Sequence, residues 1–525
     1  MNKTPYSLSR TLLTFALTGA LWLPSAKVLA AQSEWAHPDS NGKLVYKTLP
    51  RGDRILDFSY AGYGGGGVKL PVATVQKTVA PSAGDDSAAI QSAIDAVAAL
   101  PVKDGFRGAV LLARGTFHCA KGITISQDGI VLRGSGADNN GSIIEMTGEP
   151  HTCVTIAGGS VKYPKQNPAT TFPITDTYVP SGALSLSVKD ATGLAAGDVV
   201  LIRWLRSAKW IHFMGMDTLV RNGKPQSWLG IDSPVTFERT IRSIQGNRLT
   251  LEAPLTDAID AGLLAPATAT VSKIPPLKRL SQCGLESLRI NSLPPSGTLV
   301  AKNNLGVLLD NCEDCWVKNV AMHDTLGNIR IMQQGRRITL EGVEAVHSAT
   351  VAKGAGYPSD FTLRGSQTLV NRCSSSGSGS FFVATMNADA ALNVVLNCTF
   401  KGAGAIQPHA RWSTGLLMDG CNLPEGRIDL INRGTAGSGH GWAIGWAVAW
   451  NCTAKFFNVQ QPPGSINWCI GCTGDMDWGK LKKGEVPPKA GPWLSSRATP
   501  VEPASLYLAQ LRERLGPQAA SNIGY

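Results

Sequence analysis

The sequence has no second long apolar run. Beyond residue 30, no apolar stretch approaches the length that a membrane helix needs, so we expect no membrane partner. The single long run, residues 11–23, follows Lys3 and Arg10 and precedes the small residues of 25–31. A basic start, a short apolar stretch and small residues at its end are typical of a signal peptide. We therefore predict a signal peptide at 1–30 and a secreted or periplasmic protein.

A run of Lys and Arg interleaved with aromatic residues is also absent, which argues against a nucleic-acid partner. The formal charge is nevertheless +11, and about +8 remains once the cations of the predicted signal peptide are removed. The positive residues are dispersed along the chain. An acidic polysaccharide suits an exported basic protein as a partner, and a solvated basic surface explains the same charge equally well. A monomer is expected.

Cysteine, in contrast, recurs at a regular position. Short apolar strands end in Asn or Asp shortly before Cys, as in Asn311-Cys312, Asn397-Cys398, Asp419-Gly420-Cys421 and Asn451-Cys452. From Cys373 to Cys472 the successive spacings are 25, 23, 31 and 20 residues. A period in the twenties that varies with loop length is typical of the coils of a parallel β-helix. We predict an all-β fold, a right-handed parallel β-helix solenoid.

The eleven cysteines of an exported protein would ordinarily suggest disulfides. Here five or six of them occupy the same repeat position, which a stacked coil places in one interior column. We therefore predict a ladder of free thiols. The Cys-x-x-Cys pairs at 312/315 and 469/472 fall on repeat strands, so a zinc site at these pairs is the minor alternative.

The N-terminal part of the chain divides into two regions. Residues 31–160 predict an N-terminal cap and the first coils, and the cap includes a helix with Ile90, Ile94 and Val97 on one apolar face. Residues 161–280 break the rhythm with β-rich segments and a Gly-Asn turn. They predict an inserted β subdomain.

The main β-helix is assigned to residues 281–475, where the cysteine repeat is clearest. Residues 476–525 begin with a Pro-rich stretch and end in a segment with an apolar helical face. Because an open solenoid end exposes sheet edges, we predict that this C-terminal helical segment covers the last rung.

Two motifs near the N-terminus carry a family resemblance: Asp85-Asp86-Ser87, and the run from Gly108 to Phe117. With them the chain resembles the pectate-lyase-like β-helix superfamily of secreted proteins, over residues 52–160 and 284–475. The resemblance implies the β-helix fold and the cleavage of polysaccharides by a lyase or a hydrolase. The superfamily also includes phage tailspikes and non-catalytic binders, so the resemblance does not choose the reaction.

Groups suited to catalysis are densest in two stretches, residues 407–415 and 432–442. The stretches precede adjacent repeat strands, and equivalent places on neighbouring rungs lie about 4.8 Å apart. Four residues are therefore predicted to converge on one surface patch: His409, Arg411, Arg433 and His440. The preferred hypothesis is a lyase that cleaves a uronic-acid-containing polysaccharide at this patch.

β-Elimination from a uronic acid needs a cation beside the carboxylate, a base for the adjacent proton and an acid for the leaving oxygen. His409 or His440 is predicted as the base, because His titrates near neutral pH. Arg411 and Arg433 are predicted to neutralise the carboxylate. A structural alternative remains for each: a His in a Gly-rich turn is often a satisfied structural group, and Arg433 can simply pair with Asp429.

Further groove residues are predicted around this patch. They are the sugar-stacking Trp412 and Trp442, together with Asn387, Lys353 and Tyr357 in loops before neighbouring rungs. Lys353 or Tyr357 is an alternative base.

Two other functions remain open. A glycoside hydrolase needs two carboxylates that flank the bond; Gly439-His440-Gly441 is similar to a polygalacturonase segment, but the paired aspartates of those enzymes are missing. The clustered aspartates of calcium-dependent pectate lyases are not evident either, so no cofactor is predicted and calcium stays open. A non-catalytic glycan binder is the third function, with the Trp, Met and His loop at 210–228 as its surface.

Overall fold

The computed structural model describes Met1 and residues 31–292, 294, 296–355, 358–377, 381–388, 390–479 and 494–525. Apart from Met1, the signal peptide predicted at 1–30 lies outside the described residues. The chain forms a parallel β-helix with an N-terminal helix, an inserted antiparallel subdomain and C-terminal helices, so the predicted fold class is confirmed. No described helix has both the length and the apolar character to cross a membrane.

Each coil of the solenoid contributes strands to three stacks, called here sheets A, B and C. In sheet A, for example, Ala391–Leu396 pairs in parallel with Ser413–Asp419. In sheet C, Ser359–Leu363 pairs in parallel with Phe381–Thr385. The chain passes from A to B, from B to C, and from C to the next A strand. Alternate side chains point inward, so the apolar residues of every rung meet in one continuous core.

The strands of sheet A are Val75–Val79, Gly108–Leu112, Ile130–Arg133, Thr339–Glu341, Leu369–Asn371, Ala391–Leu396, Ser413–Asp419, Ile444–Gly445, Val448–Trp450, Trp468–Ile470 and Leu494–Ser495. Sheet B contains Gly115–Cys119, Ser142–Met146, Glu344–Val346, Ser374–Ser376 and Thr399–Lys401. Sheet C contains Ile123–Ile125, Thr152–Ala157, Leu305–Asp310, Gly327–Ile331, Ser359–Leu363, Phe381–Thr385 and Ala405–Ile406. Two longer strands continue from A into B, namely Gly284–Asn291 and Trp316–His323. Three continue from B into C, namely Asn422–Leu430, Thr453–Val459 and Thr473–Met476.

The corner between sheets A and B explains why Asn or Gly precedes Cys. Asn311, predicted at the same repeat position, instead follows the sheet C strand Leu305–Asp310 and lies in a connection from C to A, so that part of the prediction is wrong. At the corner between A and B, the backbone is left-handed at Asn397 (φ 48°), Gly420 (φ 64°) and Asn451 (φ 49°). Gly and Asn adopt this conformation at lower cost than other residues. A single such residue turns the chain from A to B, and the Cys that follows is buried in the core.

All eleven cysteines are unpaired and buried, which confirms the predicted free thiols. On successive rungs, the Cys398 thiol donates to the Val370 carbonyl at 3.4 Å and the Cys421 thiol donates to the Val395 carbonyl at 3.3 Å. Burial raises the pKa of Cys398 well above its ordinary value, so this thiol stays protonated and unreactive. Within the described part of the chain, no three His, Cys, Asp or Glu side chains come together to hold a metal ion.

Helix α1, Ser87–Ala98, packs on the first coils. Its buried face contains Ile90, Ile94 and Val97, as predicted. The carboxylate of Asp86 accepts hydrogen bonds from the amides of Ser82 and His118, so it ties the helix start to the first sheet B strand.

The inserted subdomain leaves the solenoid after the sheet C strand Thr152–Ala157 and returns at Leu280–Ser281, just before sheet A. It therefore lies over the loops that connect C to A. Its six antiparallel strands follow the order Thr171–Pro173, Thr270–Ile274, Val199–Leu205, Pro234–Gln245, Arg248–Leu251 and Ser185–Ser187. Two short pairs join Tyr178–Val179 to Ile259–Asp260 and Val220–Arg221 to Lys224–Pro225, and the subdomain carries helices α2, Ala208–Phe213, and α3, Ala261–Leu264.

The loop at 210–228 does not form the exposed surface that a glycan binder would need. Trp210, Met214, Met216 and Trp228 are buried in the core of the subdomain. The interpretation of these Trp and Met side chains as an exposed sugar-binding surface is therefore wrong, although His212 of the same loop is exposed. The subdomain has one large sheet, and these large side chains fill the space between that sheet and the solenoid loops beneath it.

The C-terminal helices α4, Leu506–Leu515, and α5, Pro517–Asn522, lie along the side of the solenoid. Tyr507 illustrates the arrangement, because its hydroxyl donates to the Ala61 carbonyl and its amide donates to Asp419, several rungs before the end. The prediction that this segment covers the last rung is wrong. The reason is that residues 31–70 run along the same side, and the C-terminal helices satisfy the polar backbone groups of that segment.

The remaining short elements connect these parts. They are the pairs Ala31–Gln32 with Val501–Glu502, Ala36–Pro38 with Leu44–Tyr46, Leu280–Ser281 with Cys312–Glu313, and Thr298–Leu299 with Thr350–Val351, and the single-turn helices Tyr63–Gly65 and Pro168–Thr170.

Candidate functional site

The two stretches singled out in the sequence form neighbouring C-to-A loops. The Trp412 amide donates to the Trp442 carbonyl at 3.0 Å, and the Arg433 amide donates to the Gly441 carbonyl at 2.7 Å. These bonds fix the two loops side by side below the inserted subdomain. From that subdomain, the Arg221 guanidinium donates to the Gly437 carbonyl at 2.6 Å.

The four predicted residues come together, and we call them the histidine–arginine site: His409, Arg411, Arg433 and His440. The ring centroids of His409 and His440 are 4.7 Å apart. Arg433 Nη1 lies 2.8 Å from the His409 carbonyl oxygen and 3.1 Å from His440 Nδ1. Rung stacking thus turns a separation of about thirty residues into direct contact, as expected.

The His409 imidazole is available for proton transfer. Neither of its ring nitrogens hydrogen-bonds another described residue, and the Phe381 ring packs against it edge-on at 5.4 Å. Burial, followed by the positive charge of Arg433, lowers the pKa of His409 to about 4. The ring is therefore neutral at ordinary pH and can accept a proton.

The His440 imidazole is held in place on both sides. Its Nδ1 accepts a hydrogen bond from Arg433, which assigns the ring proton to Nε2. A Cβ on Gly437 would lie 2.2 Å from Nε2, so the ring packs directly on this glycine. Burial and then Arg433 lower the pKa of His440 as well.

The two arginines of the site bind neutral groups. Arg411 Nη2 donates to the carbonyl and the hydroxyl of Ser438, at 3.1 and 2.5 Å. The alternative that Arg433 pairs with Asp429 is wrong, because the Asp429 carboxylate pairs with Arg427 at 2.8 Å and accepts from Gln407 at 2.7 Å. No described carboxylate lies within ion-pair distance of Arg411 or Arg433.

Two further arginines extend the positive surface toward earlier rungs. Arg330 lies in sheet C, and Arg364 directly follows a sheet C strand. Burial and then the charge of Arg364 lower the pKa of Arg330, so these two guanidinium groups repel each other. Arg364 also helps to lower the pKa of His409. In the described residues, neither arginine has a carboxylate partner, and with Arg433 they form what we call the arginine row.

Sequence reasoning missed Arg364 and Phe381. A signal for Arg364 existed, because its neighbour Leu363 is in register with Thr385, and the Thr385 carbonyl accepts from the His409 amide on the next rung. This register of the rungs predicts that Arg364 lies beside the site. Phe381 gave no such signal, since an aromatic residue on a strand is usually explained by packing alone.

Later rungs of the same surface carry carboxylates. Asp429 and Asp477 both bind Arg427, at 2.8 and 3.1 Å, and we call this group the Arg427 pair. Burial raises the pKa of Asp429, whereas the Gly479 amide lowers the pKa of Asp477. Two carboxyl groups with opposite shifts are a pattern found in acid and base pairs. The sequence did not reveal it, because forty-eight residues separate the two.

The two tryptophans predicted to stack on sugar lie elsewhere. Trp412 is only 2% exposed, and its Nε1 donates to Asp257 of the inserted subdomain at 2.7 Å. Trp442 is half-buried, and its Nε1 donates to the Met214 carbonyl at 3.1 Å. The sugar-stacking assignment of Trp412 is therefore wrong, and Trp442 packs against the subdomain core. The subdomain covers these rings, which sequence spacing alone did not show.

The other predicted groove residues have separate positions. Asn387 lies one rung from the site, with its amide donating to the Ala410 carbonyl at 2.9 Å. Lys353 is exposed in a loop between sheets B and C, after the short strand Thr350–Val351, and within the described part of the chain no contact links it to the histidine–arginine site. Tyr357 lies outside the described residues.

Comparisons with known proteins do not identify the function. No protein-family model matches the chain, and no curated protein matches it. The tailspike protein gp49 from Pseudomonas phage LKA1 is 14% identical with a TM-score of 0.35, over 74% of this chain and 64% of the tailspike, so the chain spans less than two thirds of that protein. The Streptococcus pneumoniae surface protein and adhesin PfbA is 10% identical (TM-score 0.32, 77% of this chain and 86% of PfbA). The endo-xylogalacturonan hydrolase from Aspergillus tubingensis is 10% identical (TM-score 0.31, 80% of this chain and 92% of the hydrolase). Function must therefore be argued from the residues of the site.

Proposed function

We propose that the protein is an exported lyase that cleaves a uronic-acid-containing polysaccharide by β-elimination at the histidine–arginine site. One observation carries the proposal: a neutral imidazole, His409, lies beside guanidinium groups that have no described carboxylate partner. A negatively charged ligand would supply the missing partner. A base next to a carboxylate-binding cation is what elimination from a uronate requires.

Recognition of the uronate begins with Arg433. Its Nη1 is committed to His409 and His440, while Nε and Nη2 have no hydrogen-bond partner among the described residues. A guanidinium has five N–H donors, so three remain in a planar arrangement that suits a carboxylate. Arg433 is thus held by its own loop and still able to bind substrate. The arginine row would bind further uronates along the same chain.

His409 is the better candidate for the base. Its ring nitrogens have no described partner, whereas His440 accepts from Arg433 through Nδ1 and packs on Gly437 through Nε2. In the proposed step, His409 takes the proton from the carbon next to the carboxylate. The electrons of that C–H bond form a carbon–carbon double bond, the bond to the glycosidic oxygen breaks, and this oxygen takes a proton from water. The proton that His409 has gained then neutralises the hydroxide and restores the neutral base. Arg433 stabilises the negative charge that develops on the carboxylate side.

Bound substrate would also change the pKa of His409. In the free protein, burial and then the surrounding positive charges hold the pKa of His409 at about 4, which makes it a weak base. A bound carboxylate adds a negative charge beside the ring and favours the protonated imidazole. The pKa of His409 then rises in the complex toward the range in which proton transfer is efficient.

The decisive experiment is to incubate the purified protein with a panel of acidic and neutral polysaccharides. Elimination leaves an unsaturated uronate, so we expect the ultraviolet absorbance of the conjugated double bond to rise together with the number of reducing ends. New reducing ends without that absorbance would contradict the lyase. Binding without either signal would indicate a non-catalytic glycan binder.

A hydrolase at the Arg427 pair is the second candidate. The observation in its favour is the opposite pKa shift of Asp429 and Asp477, since a glycosidase needs one protonated and one ionised carboxyl group. Against it, Arg427 binds both carboxylates and occupies the space between them. The variants Asp429→Asn and Asp477→Asn separate the two candidates, because only a hydrolase at this pair would lose its turnover.

A further inference from the structure

A small cavity lies between the inserted subdomain and the solenoid, apart from the histidine–arginine site. Its volume is about 50 Å³, and its walls include Trp204, Trp210, Trp412, Tyr178 and Phe213. By the same measure one water molecule needs roughly 10 to 15 Å³, so the cavity has room for a compact chemical group. We call the three tryptophans of its wall the indole cage.

The rings of the indole cage meet at steep angles. Trp204 and Trp210 are inclined by 69°, and Trp210 and Trp412 by 74°, with ring centroids less than 6 Å apart. Trp228 stacks on Trp210 at 5.3 Å and holds that ring from behind. Rings that meet at steep angles can enclose a cavity, here called the box, whereas parallel stacked rings would leave no space between them. The cavity is thus a fixed feature of the aromatic packing.

A buried carboxylate lies in the wall of this box. Asp257 Oδ2 accepts from Trp412 Nε1 at 2.7 Å, and Oδ1 accepts from Trp446 Nε1 and the Ala258 amide, both at 3.0 Å. A carboxylate has about four acceptor positions, so roughly one is left, on Oδ2. No described Lys, Arg or His lies within ion-pair distance of Asp257. Burial raises the pKa of Asp257 to about 6, so the group is mostly ionised at neutral pH.

The cavity opens toward a larger groove. Arg51, Tyr178 and Gly464 line both spaces, and the groove has a volume of about 480 Å³. At this junction Arg51 pairs with Asp260 at 2.6 Å and stacks on the Tyr178 ring at 3.6 Å. A Cβ on Gly464 would lie 2.9 Å from the Phe213 ring, so the glycine lets this half-exposed ring pack at the cavity wall. A ligand could therefore place a small head group in the box and its remainder in the groove.

We propose that the indole cage and Asp257 bind a quaternary ammonium group. A cation among aromatic rings is stabilised by their electron-rich faces, and quaternary ammonium ligands are commonly bound in this way. The Asp257 carboxylate supplies the opposite charge. A primary ammonium would need acceptors for three N–H groups, whereas the Asp257 carboxylate has about one acceptor position left. A quaternary ammonium has no N–H to satisfy, so it matches both the charge and the apolar walls.

The test is a titration of the intact protein with choline and with tetramethylammonium, followed by tryptophan fluorescence and by calorimetry. We expect saturable binding of both cations. Dimethylbutanol, the uncharged carbon isostere of choline, should not bind, because it lacks the charge. Absence of saturable binding by either cation, or equal binding of dimethylbutanol, would overturn the proposal. Binding of glucosamine in preference to choline would overturn the quaternary assignment.

Two variants locate the binding site. Asp257→Asn keeps a side chain of the same shape and removes the charge, and we expect it to weaken choline binding by roughly tenfold or more. Phe213→Ala changes a half-exposed side chain, so it should fold normally and weaken binding by about threefold. Ile231→Ala, an exposed apolar position in the same subdomain, is the matched control and should bind as the unchanged protein does. Unchanged affinity in both Asp257→Asn and Phe213→Ala would exclude this cavity.

The pH dependence gives an independent check. Choline binding should weaken as the pH falls below about 6, because Asp257 then becomes neutral. In Asp257→Asn the remaining binding should be independent of pH in this range. Neither measurement uses polysaccharide turnover, so this proposal and the lyase proposal can fail separately.

Discussion

The histidine–arginine site and the Arg427 pair lie on the same surface of the solenoid, but their charges are organised in opposite ways. In the Arg427 pair, the guanidinium binds two carboxylates. In the histidine–arginine site, the partners of Arg433 among the described residues are a carbonyl and an imidazole. The comparison suggests that a cation with its own carboxylate partner stabilises the fold, while a cation without one is available to a ligand. Four predictions test this difference.

The largest effect is expected on turnover. The His409→Gln substitution removes the proposed base and should lower kcat on an acidic polysaccharide by roughly a thousandfold. Arg433→Gln should lower it by about a hundredfold or more, because the developing charge loses its donor. Initial rates of ultraviolet absorbance measure both. Asp429→Asn and Asp477→Asn are the matched controls and should stay within about threefold. Loss of turnover in the two aspartate variants, with turnover retained in the His409 and Arg433 variants, would indicate that the active site is the Arg427 pair.

For stability we expect the reverse order, with a larger loss at Arg427 than at Arg433. Arg427→Gln leaves the buried Asp429 without its cation and should lower the free energy of unfolding by about 2 kcal/mol, a value between those of buried and exposed pairs. Arg433→Gln breaks no ion pair between described residues and should change the free energy of unfolding by less than about 1 kcal/mol. Denaturant unfolding followed by circular dichroism compares the two. Equal losses would mean that Arg433 is as structural as Arg427.

The arginine row should affect binding more than chemistry. Arg364→Ala removes a cation one rung from His409, so we expect KM for an acidic polysaccharide to rise by about tenfold while kcat changes little. The effect should shrink with added salt, since exposed charges are screened. Lys455→Ala, a lysine on a later rung that stacks on Phe456, serves as the control. A fall in kcat at constant KM would instead place Arg364 in the chemical step.

The smallest effect concerns the titration of His409. Arg433→Gln removes a neighbouring positive charge, so the pKa of His409 should rise from about 4 toward its ordinary value. In the unchanged protein, His409 loses its function as a base when the pH falls below about 4, and kcat/KM for substrate should fall there. Proton resonances of the imidazole report this pKa directly. Arg427→Gln should leave the titration of His409 unchanged, and an equal shift in both variants would contradict the local origin of the effect.

The two regions also differed in how far the sequence could predict them. The histidine–arginine site followed from the repeat, because His409 and His440 precede adjacent strands and a solenoid stacks equivalent positions. The Arg427 pair did not, since Asp477 follows the last rung that the repeat made recognisable. For Trp412 the sequence predicted the correct loop but an exposed, sugar-stacking ring, whereas the ring is buried. Its exposure depends on the inserted subdomain, whose position over the loops has no periodic signal in the sequence.

The same limit explains the indole cage. Trp204 and Trp210 belong to the insertion, Trp412 belongs to a solenoid loop, and Asp257 lies in a connection between subdomain strands. Their separations in the sequence follow no period, so only the packing of the subdomain on the solenoid brings them together. The C-terminal helices are a similar case, because amphipathic patterning predicts that a helix packs and not where it packs.

The sequence by itself determined the β-helix, its free-thiol ladder and the rung positions of His409, Arg411, Arg433 and His440. These features are local and repeated, because a stacked coil converts a chain period into a spatial column. The tertiary structure decided which arginines are committed to carboxylates, which tryptophans are covered and where the terminal segments lie. Those outcomes depend on contacts between parts of the chain that share no period, and such contacts are set by the burial of particular surfaces.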